Sequence, residues 1–163
     1  MKHQAGFTLI ELVVVIVILG ILAIAAAPKF LNMQGDARES ALKGLEAAIK
    51  STAEMVHAKA VIAGNETASA ATVTIANGKT VKTTYGYPNG SDLMNMLDIS
   101  ASSAAVPGDT DFIYDLADNA PNTMIFWPTS GFTSKLAQST CNVTYSDPRS
   151  AGDAPLITFF SGC

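Results

Sequence analysis

Residues 7–28 read FTLIELVVVIVILGILAIAAAP, and the interpretation of this stretch decides the fold. Apart from Glu11, no residue from Phe7 to Ala27 carries a side-chain charge. At ~1.5 Å of helix per residue, about 20 such residues cross a ~30 Å hydrocarbon layer. Residues 1–6 (MKHQAG) form a short polar leader with one firm positive charge, Lys2. A cation on the near side of the span predicts a cytoplasmic N-terminus and a periplasmic remainder. An ordinary secretory signal would place a small-residue cleavage site after the apolar run, and Ala25-Ala26-Ala27 can pass for one. That reading leaves Glu11 unexplained, because a carboxylate inside a span costs roughly 2.5–3.5 kcal/mol on insertion scales.

The rest of the composition fits one domain. The 163-residue chain is 48% hydrophobic and only 15% charged, with the apolar excess concentrated near the N-terminus. A net charge of −4 leaves no basic stripe for nucleic acid. The two cysteines, Cys141 and Cys163, read as one disulfide if the region is exported.

The octapeptide Gly6-Phe-Thr-Leu-Ile-Glu11-Leu-Val13 resembles the processing signature of type IV pilins, of the class A type, and of pseudopilins. The resemblance implies a dedicated peptidase that cuts between Gly6 and Phe7 and methylates the new N-terminus at Phe7. It also implies that the apolar stretch is kept, as membrane anchor before assembly and filament core afterwards. The expected domains are a cleaved leader (1–6), an anchor and core helix (7–28) and a globular head (29–163) whose own helix covers 29–63. The cut would give Glu11 a partner. It creates an α-amino group with a reference pKa of ~7.7–8, and in the family this acid pairs with the amine of a neighbouring subunit. Opposite charges in a dry core attract strongly, so pairing fixes the register of helices that would otherwise slide. Thr8 and Glu11 also fit a capping box, which is the purely local alternative. Losing the leader removes Lys2 and takes the formal side-chain charge from −4 to −5.

Pro28 lacks an amide hydrogen, so a kink or loosening is expected there. Gly20 is a second weak helix former. The resemblance implies that the segment between them can melt and let filaments stretch. Beyond Pro28 an amphipathic period continues through Phe30, Ala37, Ala41, Leu45, Ala48, Ile49, Ala53, Val56 and Ala60, with Gly64-Asn65 as its C-cap. The remainder carries β-rich runs at Thr72–Ile75, Lys79–Thr84, Met124–Trp127, Asn142–Tyr145 and Leu156–Phe160. Turn signals at Asn77-Gly78, Asn89-Gly90, Pro107-Gly108 and Asp147-Pro148 separate them, and a short capped helix is expected over Ser91–Asp98. The expected class is α+β: one long N-terminal helix packed on an antiparallel sheet, with a C-terminal region bounded by a Cys141–Cys163 bridge. Many secretion pseudopilins lack that bridge, so it favours a true pilin. The stretches Glu54–Ala60, Ala63–Glu66, Tyr85–Pro88 and Ile125–Pro128 resemble the mannose-sensitive haemagglutinin branch of the pilin family.

No catalytic set or cofactor site is legible. His57 is expected to make a surface or helix–sheet hydrogen bond, and no serine or cysteine motif accompanies it. Asp109, Asp111, Asp115 and Asp118 are a weak calcium candidate, lacking the glycine and terminal glutamate of an EF-hand loop. Asn65-Glu-Thr67 and Asn142-Val-Thr144 match the glycosylation pattern only by accident of composition. Tyr85, Tyr87, Trp127 and Phe132 are expected to be mostly core, with stacking on sugars as the use of any exposed one. Three readings follow. The first is an adhesive pilus subunit whose partners are other subunits, the prepilin peptidase, the inner-membrane assembly machinery and surface glycans. The second is a secretion or DNA-uptake pseudopilin, and the third a signal-anchored periplasmic protein.

Overall fold

The computed structural model describes residues 7–75, 78–117, 120–130 and 140–163. The leader with Gly6, and also Asn77, Asp118 and Phe132, lie outside the described residues. The chain divides into two compact units, one ending at Ala37 and one running from Arg38 to Cys163. Helix α1 (Leu9–Ile62, 54 residues) begins in the first and ends in the second.

In the first unit α1 is unbroken through Gly20 and Pro28. Pro28 lies inside this helix and cannot donate a hydrogen bond to the Ile24 carbonyl. Every described side chain from Phe7 to Phe30 is exposed, including Leu9, Ile10, Val13, Ile16, Leu19, Ile21 and Ile24. Phe30 and Ala37, placed on the buried stripe by periodicity, are exposed as well.

In the second unit α1 buries Leu42, Leu45, Ile49, Thr52, Ala53, Val56 and Ala60. At the start of this stripe Leu42 takes the inward position and Ala41 is exposed, because leucine removes more apolar surface from water. The outer face carries ion pairs one turn apart, Glu39–Lys43 at 2.7 Å and Glu46–Lys50 at 2.6 Å, each worth about 0.3–0.5 kcal/mol. The helix stops in a Schellman motif. Gly64 has φ +68°, its N–H donates to Val61 O at 3.0 Å, and Asn65 N–H donates to Ala60 O at 2.9 Å.

A three-stranded antiparallel sheet follows, β1 (Ala71–Thr74), β2 (Thr80–Thr84) and β3 (Tyr87–Pro88), in the order β1-β2-β3. A four-residue helix α2 (Gly90–Leu93), shorter than expected, leads to a five-stranded sheet. Its strands β4 (Ala101–Ser103), β5 (Phe112–Ala117), β6 (Ala120–Pro128), β7 (Cys141–Ser146) and β8 (Leu156–Ser161) lie in sequence order, antiparallel except for β4 against β5. The α+β class and the long helix are as expected. Strands β3, β4 and β5 are additions, and β5 runs through the aspartate-rich stretch offered as a calcium candidate. Its Phe112 and Tyr114 pack against the core formed by Leu42, Leu45, Ile49, Phe126, Val143 and Tyr145. That burial outweighs the poor strand propensity of Asp115.

The β2–β3 turn has only two residues, Tyr85 (φ 48°) and Gly86 (φ 83°), and positive φ at both is what a type I′ hairpin requires. A Cβ at Gly86 would lie 2.8 Å from His57 Nδ1 and 2.9 Å from Glu66 Cα, so the turn tip is pressed onto α1 and the segment after it. Gly152 shares the backbone (φ 88°) but has open space around it. Gly152→Ala should therefore cost the strain alone, about 1 kcal/mol, and Gly86→Ala at least about twice that. Urea unfolding of the detergent-solubilised chain measures the difference, and equal losses would contradict the packing described.

Candidate functional site

Three local arrangements carry chemistry. The first is the start of α1. Thr8 N–H donates to Glu11 Oε2 at 2.8 Å, the Thr8 hydroxyl donates to the same oxygen at 2.7 Å, and Glu11 N–H donates to Thr8 Oγ1 at 3.3 Å. This is a reciprocal capping box that occupies orphan donors of the first helical turn. The local alternative for Glu11 is thus realised in the single chain. Phe7, which would become the N-terminal residue, is 89% exposed just ahead of it.

The second is the C-terminal hairpin. Cys141 and Cys163 are bridged with Cα atoms 4.7 Å apart, and Cys141 is fully buried in the core. The region between them is the β7–β8 hairpin, paired from Cys141↔Ser161 to Ser146↔Leu156. Gly162 N–H donates to Thr140 O at 2.7 Å, and a Cβ at Gly162 would stand 2.8 Å from Thr140 Cβ. Only glycine allows the chain to close this tightly. A bridge spanning 22 residues is worth roughly 3 kcal/mol in the chain-entropy model.

The third is a hydrogen-bonded knot around Asp147, which sequence reading saw only as a turn residue. Asp147 is 7% exposed. Its Oδ1 accepts from Gly90 N–H at 2.9 Å, its Oδ2 from Asn89 Nδ2 at 3.1 Å, and the Thr84 hydroxyl also donates to the carboxylate. Its own N–H donates to Asn122 O at 3.0 Å. Next to it the Tyr145 hydroxyl donates to Pro88 O at 2.6 Å. One carboxylate thus ties the end of the three-stranded sheet and α2 to β7 and β6. Burial raises its pKa above the usual carboxylate range, against the hydrogen bonds from Gly90 and Thr84 that lower it. Burial likewise raises the Tyr145 and Tyr87 hydroxyls.

Asp147 also lines an open cleft of ≈ 830 Å³, with Thr84, Tyr85, Asn122, Ser146, Arg149 and Asp153. Among the described residues neither Arg149 nor Asp153 has a salt-bridge partner. Hydroxyls, an amide, three ionisable side chains and one aromatic ring make a lining suited to a polar, hydroxyl-rich ligand.

Other sequence candidates fall apart. His57 makes no hydrogen bond at Nδ1 among the described residues. Instead its ring stacks on Tyr87, centroids 4.1 Å apart and 7° from parallel. The expected helix–sheet hydrogen bond is thus replaced by a ring stack, because Gly86 brings the turn close enough to seal Nδ1 from solvent. Asp109 is an exposed loop residue, Asp111 precedes β5, and Asp115 stands within β5 opposite Ile125. Strand geometry spreads Asp111 and Asp115 along the chain by ~13 Å. Among the described residues no three His, Cys, Asp or Glu side chains gather to hold a metal. Asn142 is 4% exposed, which closes its glycosylation pattern to modification in the folded chain. Tyr87 and Trp127 are core residues, and Tyr85 is half-buried in the cleft wall.

Residues 1–27 match the prokaryotic N-terminal methylation motif. Two fimbrial proteins of Pseudomonas aeruginosa are each 39% identical over 72 residues, covering 44% of this chain and 44% of theirs. Type II secretion system core protein G of Pseudomonas aeruginosa is 43% identical over 54 residues, covering 33% of this chain and 38% of that protein. The chain thus spans less than half the length of the curated relatives it matches. No solved structure matches. The N-terminal residues thus carry the methylation motif, and parts of the chain are similar to fimbrial proteins and to a type II secretion core protein.

The raised pKa of Asp147 has a definite consequence for pH. A group whose folded pKa lies above its unfolded value contributes stability that is present below the unfolded value, ~3.9 for Asp, and lost as pH rises through the folded one. The stability difference between wild type and Asp147→Asn should therefore favour wild type more at pH 4 than at pH 7. Urea unfolding at the two pH values checks this, and the reverse ordering would contradict it.

Proposed function

We propose that this chain is the non-enzymatic structural subunit of a type IV pilus of the mannose-sensitive haemagglutinin kind. It is made as a precursor, cut between Gly6 and Phe7 and N-methylated at Phe7. It is held in the inner membrane with its N-terminus cytoplasmic, then drawn into an extracellular homopolymer that attaches cells to surfaces. One observation carries this reading: an apolar helix exposed on every side from Leu9 to Ile24, whose single charge is Glu11. Among the described residues α1 is the one helix long and apolar enough to cross a membrane. Lipid, then other copies of the same helix, are the two covers that suit such a surface.

Glu11 is assigned the register role, pairing with the Phe7 amine of a neighbouring subunit. Gly20 and the missing Pro28 hydrogen bond are assigned the extensible segment. The bridged hairpin at Cys141–Cys163 supports a fibre exposed to an oxidising exterior, and the hydroxyl-lined cleft supports contact with surface glycans.

A second reading, as a pseudopilin of a type II secretion or DNA-uptake system, is favoured by the similarity to secretion core protein G. Electron microscopy of surface fibres with mass spectrometry of their subunit separates the two. The pilus reading expects long fibres, lost on deletion, whose subunit begins at methylated Phe7. Absence of fibres with a processed, membrane-retained subunit favours the second.

Glu11→Ala is expected to reduce fibre yield at least tenfold while leaving cleavage intact, and wild-type yield would overturn the register role. Replacing Gly20 and Pro28 together by alanine should stiffen fibres in single-fibre pulling. Unchanged extension would remove those residues from the mechanism.

A further inference from the structure

Asn89-Gly90 is a dipeptide whose presence the packing dictates. A Cβ at position 90 would stand 2.8 Å from Met124 Cγ, so a side chain there must displace Met124, and it would already touch Asp147 Oδ1 at 3.5 Å. Position 89 needs an amide. Its Oδ1 accepts from Ser91 N–H at 3.0 Å and from the Ser91 hydroxyl at 2.7 Å, while its Nδ2 donates to Asp147 Oδ2 at 3.1 Å. An aspartate at 89 would set a second carboxylate against the buried one, a like-charge contact that its amide avoids.

The pair is therefore fixed as Asn-Gly, the sequence most open to spontaneous deamidation because glycine leaves its backbone nitrogen unhindered. In that reaction Gly90 N loses its proton and attacks Asn89 Cγ, and Nδ2 leaves as ammonia. Water then opens the succinimide to aspartate or isoaspartate.

We propose that Asn89 is a deamidation site guarded by Asp147, and that its conversion acts as a one-way release of the knot that joins the two sheets. Both reacting groups are held by the same carboxylate. Gly90 N–H is bonded to Asp147 Oδ1, and a neighbouring negative charge opposes formation of the amide anion. Swinging Asn89 Cγ onto Gly90 N breaks the bonds at both ends of its amide. The reaction thus waits on opening of the Asp147 contact. Once it has happened, the new carboxylate beside Asp147 disfavours reclosure and adds a negative charge next to the cleft that Asp147 lines. The inference stands apart from polymerisation and holds for either reading above.

Asn77-Gly78, the same dipeptide, supplies an internal clock. Peptide mapping by mass spectrometry of the full chain in detergent at mildly alkaline pH follows both asparagines, native and in urea. Native Asn89 should react at least about tenfold more slowly than unfolded Asn89, as expected for loss of hydrogen bonds to a charged group. Asp147→Ala should remove most of that protection. Equal native and unfolded rates in the wild type overturn the guard.

Should Asp147→Ala fail to fold, Asp147→Asn keeps the shape without the charge. A folded Asp147→Asn with unchanged protection also overturns it. Asn89→Asp mimics the product, and hydrogen exchange at the Gly90 amide should then accelerate about tenfold. Unchanged exchange would overturn the release step.

Discussion

An apolar helix that no part of its own unit covers cannot persist in water, and the rest of the molecule is arranged around that constraint. Leaving a single Leu, Ile or Val exposed forgoes about 1.5–3 kcal/mol. Between Leu9 and Ile24 more than ten such side chains stand exposed. Against this, the ~2.5–3.5 kcal/mol needed to place one carboxylate in a membrane is small. Glu11 therefore does not decide whether the helix seeks cover. In the proposed register role it would decide how: a bare apolar rod can slide along its neighbours, and one charge needing one partner would turn sliding into discrete positions.

The second unit solves a different problem with the same helix. From Leu42 onward the apolar side chains form one stripe, and the facing residues of α1 make ion pairs with each other. The Schellman motif at Gly64 ends the helix and turns the chain into the first sheet. Two small sheets, rather than one, then need fastening. The Asp147 carboxylate joins them near α2, and the Cys141–Cys163 bridge fixes the far end of β7 and β8. A buried acid is a costly fastener when ionised, and three donors offset that cost without removing it.

The long helix, its end, the bridge and the five β-rich runs were legible because each rests on local pattern: period, glycine position, cysteine count and β-branched composition. What escaped rests on contacts between distant residues. Strand β5 starts directly after Asp111 with Phe112-Ile-Tyr-Asp115, and only the core waiting under Phe112 and Tyr114 makes that acidic stretch a strand. Strands β3 and β4 are too short to show a period. The buried stripe was misplaced at Ala41, where alanine and leucine are adjacent and periodicity alone cannot rank them. Asp147 gave no signal, since a turn aspartate and a buried hub look alike until Asn89, Gly90 and Thr84 arrive from elsewhere in the chain.

The capping box at the start of α1 and the proposed intersubunit pairing of Glu11 are compatible in their use of atoms. Both described bonds from Thr8 end on Oε2. A carboxylate offers about four lone-pair sites over two oxygens, so Oε1 remains able to accept from an incoming ammonium. A carboxylate already held by Thr8 presents that oxygen in a fixed direction, at less entropic cost than a free glutamate would incur. It is also partly satisfied while no amine is at hand, which lowers the cost of waiting in lipid. The local and the assembled roles thus follow one another. Under the proposed pairing, Thr8 would hold the acid before assembly and a neighbour's amine would complete its shell.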